Sequence, residues 1–283
     1  MKRIKRIVRE LPFLYRIFVA LKHVHYRALG LRHPIQSAGT NPDYQLTSLG
    51  SKHCGWTFVE HSTLANSIIL SAGLGEDGSF DVEFAAKYNA TVHIVDPTPR
   101  AIDHFRALIA RAGLPPETEY SDSGTQSPES YDLCNVAADQ IQLHEVAIWN
   151  ERTKVKFYLP RSVNHVSHSI VNFQNGYAKD TPFIEVDALP MTALLKKIGV
   201  KADHIALLKL DIEGAEIEVI ESMLFEGITP KQILVEFDEF NAPTRHGLAR
   251  ISRTHALLLD HGYKIVHTDG QADFLYFKER FHA

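Results

Sequence analysis

Cysteine is nearly absent from this chain. Cys54 and Cys134 are the only two in 283 residues, and they form no CxxC pair. A disulfide framework is therefore excluded, and a reducing, cytoplasmic setting is the simpler expectation. The sixteen histidines are scattered, with no HExxH and no paired His/Cys spacing, so no zinc site and no other metal site is assigned. Long apolar runs are also missing. The N-terminal apolar stretch is interrupted by Arg16 and falls far short of the roughly 20 residues that cross a bilayer. Pro12 and Arg16 break any signal-peptide core, and no clean small-residue cleavage site follows. Finally, no Lys or Arg occurs between Arg111 and Arg152.

What is present is globular in kind: 45% hydrophobic and 23% charged residues leave no case for global disorder. The net charge of −4 is unevenly placed. Residues 1–33 carry nine Lys/Arg against Glu10 alone, a charge of +8, which leaves −12 for the rest. An acidic body with a basic head argues against nucleic acid as a partner. Within the head, Leu14, Ile17, Phe18, Leu21 and Val24 share one helical face. That pattern suits a helix whose apolar stripe packs on the domain, the reading we favour, with a helix lying on an anionic membrane surface as the alternative. We divide the chain into a basic amphipathic segment, 1–33, and one domain, 34–283.

Within the domain, SIILSAGLGEDGSFDVEFAAKYNATVHIVDPTP reads as strand, glycine turn, helix, strand and acid. The strand begins at Ser67, the helix spans about Ser79 to Tyr88, and the second strand, Thr91 to Val95, ends in Asp96. Glycines at 73, 75 and 78 followed some twenty residues later by an acid are the pattern of a nucleotide-binding βαβ unit. Glu76 and Asp77 sit where a dinucleotide would place its pyrophosphate, and two carboxylates there would repel it. S-adenosylmethionine has no phosphate and carries a sulfonium and an ammonium, which acids tolerate or favour.

A second stretch, LLKLDIEGAEIEVIESML (207–224), begins as a buried strand interrupted only by Lys209 and continues as a helix with Ile217, Ile220 and Leu224 inward. Asp211 and Glu213 stand at the carboxyl edge between them, where open α/β sheets bind ligands. The plainer reading has Asp211 capping the helix and Glu213 favouring its dipole. Elsewhere we expect a helix near 100–112, a single strand over 141–149, strands over 155–159 and 183–189, a helix over 191–198, a strand over 232–237, a helix over 244–261, and closing strands 263–268 and 273–277. Residues 113–135 are rich in Pro, Ser, Gly and acids and read as a surface loop, with a lid as the alternative. His165, Ser167, His168 and Ser169 could line a cleft, with His168 as a proton acceptor.

These residues resemble the FkbM-type methyltransferases. LLKLDIEGAEIEVI carries the signature, joined by LGSKHCGW, SAGLGEDGSFD, IVDPTP and NHVSHSI. The resemblance implies an α/β class I methyltransferase, Rossmann-like fold: a mostly parallel seven-stranded sheet with a reversed strand near the C-terminus and helices on both faces. It implies S-adenosylmethionine as cofactor and methyl transfer, usually to a hydroxyl oxygen of a sugar, glycan or small metabolite. Gly73, Gly75 and Asp77 would approach the cofactor and Asp96 would hold its ribose. Asp211 and Glu213 would lie on the methyl-transfer side. Many members have Asp where this chain has Ser71, which we keep as a cofactor contact of altered character. For the proton of the acceptor hydroxyl we choose Asp211 first and His168 second, with Glu213 and Glu236 positioning the acceptor. Asp211, Glu213 and Glu236 holding Mg²⁺ is the less favoured arrangement. The alternative functions are an NAD(P)-dependent oxidoreductase and a non-catalytic scaffold at a membrane surface.

Overall fold

The computed structural model describes residues 26, 31, 35, 41, 43–160, 168–172, 175, 177–241 and 243–279. The expectations for the basic head therefore lie almost wholly outside the described residues, as do those for His165 and Ser167. In chain order the elements are β1 (Leu46–Leu49), β2 (Trp56–Val59), β3 (Ile68–Ala72), α1 (Ser79–Tyr88), β4 (Thr91–Val95), α2 (Pro99–Ile109), β5 (Ile141–His144), β6 (Ala147–Ile148), β7 (Thr153–Tyr158) and β8 (Phe183–Leu189). They continue with α3 (Met191–Ile198), β9 (Ile205–Leu210), α4 (Glu216–Phe225), β10 (Gln232–Glu236), α5 (Arg245–Asp260), β11 (Lys264–Thr268) and β12 (Asp273–Phe277).

Seven strands form the main sheet in the order β11-β12-β10-β9-β3-β4-β5. The run from β10 to β5 is parallel, and β12 is antiparallel to both of its neighbours. Side chains alternate across this sheet, as strand geometry requires. Leu70, Ala72, Leu208, Leu210, Ile233 and Val235 pack on one face with Leu194 of α3, Ile217 of α4 and Ile251 of α5. Ile69, Val92, Ile94, Leu207 and Leu234 pack on the other with Phe80 and Phe84 of α1 and Leu108 of α2. The β1–β2 hairpin covers this second face through Trp56 and Phe58. The buried Gln232 amide clamps it to β10, accepting from the Val59 N–H (2.8 Å) and donating to the Val59 carbonyl (2.9 Å).

Three readings need correction. The expected single strand 141–149 is two strands in two sheets. The Val146 N–H bonds back to the His144 carbonyl (2.8 Å), and this tight turn carries the chain from β5 in the main sheet to β6 in a small sheet ordered β6-β8-β7. Second, Asp211 does not cap α4. The cap position is Ala215, and Glu216 reaches back to accept from the Ile212 and Gly214 N–H groups (2.9 and 3.0 Å). Glu216 is itself only 1% exposed. Third, 113–135 is more than a surface loop. Tyr131 and Leu133 are fully buried, and the Gln126 N–H bonds to the Glu76 carbonyl at 2.8 Å.

Candidate active site

The glycine turn after β3 is held from both sides. The Gly73 N–H donates to the Val95 carbonyl of β4, and the Asp211 N–H donates to the Ala72 carbonyl, each at 3.1 Å. A β-carbon on Gly73, whose φ is +90°, would meet the Asp211 carbonyl oxygen at 1.8 Å. Close packing of two strand ends thus demands this glycine. Gly75, with φ +57°, faces open space.

The turn's amides are occupied from within. Asp96 Oδ2 accepts from the Leu74 and Gly75 N–H groups at 2.9 and 3.1 Å. Its Oδ1 accepts from the N–H and hydroxyl of Thr98 at 2.9 and 2.7 Å. Those four bonds fill the acceptor sites of a carboxylate. The Gly78 N–H donates to the Tyr131 hydroxyl (3.0 Å) and the Ser79 N–H to Asp77 Oδ1 (3.0 Å). Asp77 Oδ2 accepts from the Ser51 hydroxyl and the Gln126 amide at 2.7 and 3.0 Å. Glu76 is paired with Arg100 through two bonds of 2.9 and 2.6 Å. Charge repulsion from Glu76 is therefore partly cancelled. The stronger obstacle to a pyrophosphate is that the backbone amides it would use already hold the Asp96 carboxylate.

At the carboxyl edge, Asp211 follows β9, Glu236 ends β10 and Asp273 starts β12. The register pairs Leu210 with Val235 and Glu236 with Asp273, so the three carboxyls form a row across adjacent strands. Burial raises the pKa of Asp211; the Lys209 charge offsets this and Asp96 adds to it. Burial pushes Glu236 up to about 8, with Asp211 and Asp273 adding, and pushes Asp273 up to about 7. The Glu236 carboxyl accepts from the Asn241 amide at 3.0 Å. Glu213 adopts a left-handed φ of +57°, and its carbonyl accepts from the Ser169 hydroxyl at 2.6 Å. That bond ties the segment bearing His168 to the turn after β9. Among the described residues, no group of three His, Cys, Asp or Glu side chains is placed to hold a metal ion.

An open cleft runs between the glycine turn and this edge. Gly73, Gly75, Asp77, Asp96, His168, Asp211 and Glu213 all line it. Comparison with known families decides what it belongs to: a model of the methyltransferase FkbM domain matches residues 65–265. The chain belongs to this family. No curated protein and no solved structure matched it.

Two of the chosen residues stand outside the lining of this FkbM domain's cleft. Ser71 is fully buried in β3; strand alternation turns its hydroxyl under α1, beside Asp81. Glu236 lies one strand beyond Asp211 and reaches the cleft through its charge. Sequence reasoning missed several members of the lining. Ala147, Ile148 and Phe157 come from the small sheet and, with Val95 and Pro97, make an apolar wall. No local pattern marks them, because the second sheet was not foreseen. Cys54 also faces the cleft, its thiol pushed up to about 12 by burial and by Asp77 and Asp211, which keeps it protonated and weakly nucleophilic. Lys209 is 4% exposed and lines the floor. A lysine inside an otherwise apolar strand was the signal that could have found it.

Proposed function

We propose that this methyltransferase uses S-adenosylmethionine to methylate a hydroxyl oxygen on a sugar, glycan or small metabolite. The observation that carries the reading is the internal anion in the glycine turn: with Asp96 seated on the Leu74 and Gly75 amides, the site favours a nucleoside without a pyrophosphate. This also counts against the oxidoreductase alternative. We read the main sheet, with β12 reversed between β10 and β11, as the class I methyltransferase arrangement.

The residues present fit such a cofactor. Val95, Pro97, Ala147, Ile148 and Phe157 offer apolar surface for a base, and Gly75 leaves its side of the turn open. Because Asp96 is saturated, a ribose hydroxyl would take the place of the Thr98 hydroxyl on Oδ1. Bound there, the cofactor supplies a methyl group already activated on a sulfonium. What remains for the chain is to place an acceptor oxygen in line and exclude water. Asp211 would accept the hydroxyl proton; among the described residues its carboxylate accepts no hydrogen bond, and burial raises its proton affinity. His168 is the second choice, across the cleft lining. Glu213 would position the acceptor, and Glu236 would act through Asp211.

Calorimetric titration with S-adenosylmethionine, S-adenosylhomocysteine and NAD tests the reading. The first two should bind, and Asp96→Ala should weaken both by at least roughly tenfold, because it empties four hydrogen bonds to a charged group. Binding of NAD alone would overturn it.

A further inference from the structure

The cleft is lined by five acids, Glu76, Asp77, Asp96, Asp211 and Glu213, and among the described lining residues Lys209 is the single Lys or Arg. Three of the acids are already committed: Glu76 to Arg100, Asp77 to Ser51, Gln126 and the Ser79 amide, and Asp96 to its own turn. Lys209 is different. Among the described residues its ammonium makes one hydrogen bond, to the Gly73 carbonyl, although such a group has three donors. The Trp56 ring lies 5.8 Å from it. From α1, Asp81 faces it; from the strand ends, Asp211 and Asp273 feel its charge, as does the Cys54 thiol. None of these carboxylates forms an ion pair with it within hydrogen-bonding range. Lys209 and Asp211 stand two residues apart at the end of β9, on one face of the strand. A buried cation with spare donors in an acid-lined cleft is a receptor for a carboxylate.

We propose that Lys209 anchors the carboxylate of the cofactor's amino-acid tail, a role that rests on the S-adenosylmethionine reading above. The tail then lies at the Gly73–Cys54 end of the cleft, with the base at the Pro97–Ala147 end. The electrostatic logic is local. A carboxylate entering an acid-lined site needs one desolvated cation, and charge-assisted bonds of this kind are the strong ones.

The test varies the ligand and the protein together. Calorimetry would compare S-adenosylhomocysteine with its decarboxylated counterpart, S-adenosyl-3-thiopropylamine, on the full chain and on Lys209→Met and Lys209→Arg. The wild type should prefer the carboxylate-bearing ligand by roughly tenfold or more. Lys209→Met should collapse that preference to within about threefold, and Lys209→Arg should keep most of it. A wild type that binds both ligands equally overturns the anchor while leaving the cofactor reading intact. A preference that survives in Lys209→Met does the same. Binding of neither ligand overturns both. Should Lys209→Met fail to fold, the wild-type preference and the Lys209→Arg variant still decide the matter.

Discussion

Single residues carry the geometry of the glycine turn, and two glycines in it do different work. Gly73 is fixed by contact: its missing β-carbon makes room for the Asp211 carbonyl, and its φ of +90° is closed to other residues. Gly75 is fixed by backbone angle alone, since nothing lies within 4 Å of a β-carbon there. Gly73→Ala should therefore cost more than about 3 kcal/mol, through forced separation of β3 from β9. Gly75→Ala should cost only about 1 kcal/mol, the penalty of a left-handed residue. Urea denaturation of the two variants checks the ranking; equal losses would show that the strand ends can part freely. Both glycines are legible in the sequence, but their division of labour is not, because the Asp211 oxygen comes from 138 positions along the chain.

Elements meet at the carboxyl edge, where β9, β10 and β12 bring Asp211, Glu236 and Asp273 into one row. Like charges at neighbouring sheet positions disfavour joint ionisation. An acid whose pKa is raised on folding keeps a proton that the unfolded chain has released. Its stabilising contribution is complete below about pH 4 and is lost as pH climbs through the folded values, here about 7 for Asp273 and about 8 for Glu236. The pair of buried His93 and half-buried His144, bonded at 3.0 Å, acts in the other direction. Burial lowers both pKa values, His144 to about 4, so their contribution is lost as pH falls below about 6.5. Above about pH 6.5 the histidine contribution is complete while that of the acids is still being lost, so stability should decline from about pH 6.5 toward pH 8.5. Melting temperatures across that range should fall less in Glu236→Gln than in the wild type. Parallel slopes for the two proteins would refute the shared-charge account of this edge. The individual strands here were readable from their apolar runs. The adjacency of β9 and β10 was implied by grouping Asp211 with Glu236; the pairing of Glu236 with Asp273 was not legible, since β12 reaches β10 only after α5 and β11 have been passed.

Residues 1–33 carry a charge of +8 and the remainder, which contains the methyltransferase domain, −12. Ile35 belongs to the core and Leu31 packs against it. Among the described residues no helix is long and apolar enough to cross a membrane. We propose peripheral contact through the +8 head instead. The full chain should sediment with vesicles containing anionic lipid and release them as salt is raised. Replacing Lys2, Arg3, Lys5, Arg6 and Arg9 by Gln should abolish this while leaving cofactor affinity unchanged. Equal sedimentation with neutral vesicles would end the electrostatic account.

By itself the sequence determined what is local. The βαβ unit from β3 to β4 follows from two short apolar strands on either side of a glycine turn and a helix. The glycine turn and Asp96 follow from their separation, and the strand-to-helix passage at Asp211 from an apolar run giving way to acids. Tertiary structure decided what depends on partners far along the chain. It seated Asp96 on the Leu74 and Gly75 amides, left α4 without a side-chain cap while Glu216 holds the turn before it, and turned Ser71 away from the cleft. It also folded 113–135 against the glycine turn and raised a second sheet as the cleft's apolar wall. Hydrogen-bond saturation and burial are properties of a three-dimensional neighbourhood, and spacing along one chain cannot encode which distant group will fill it.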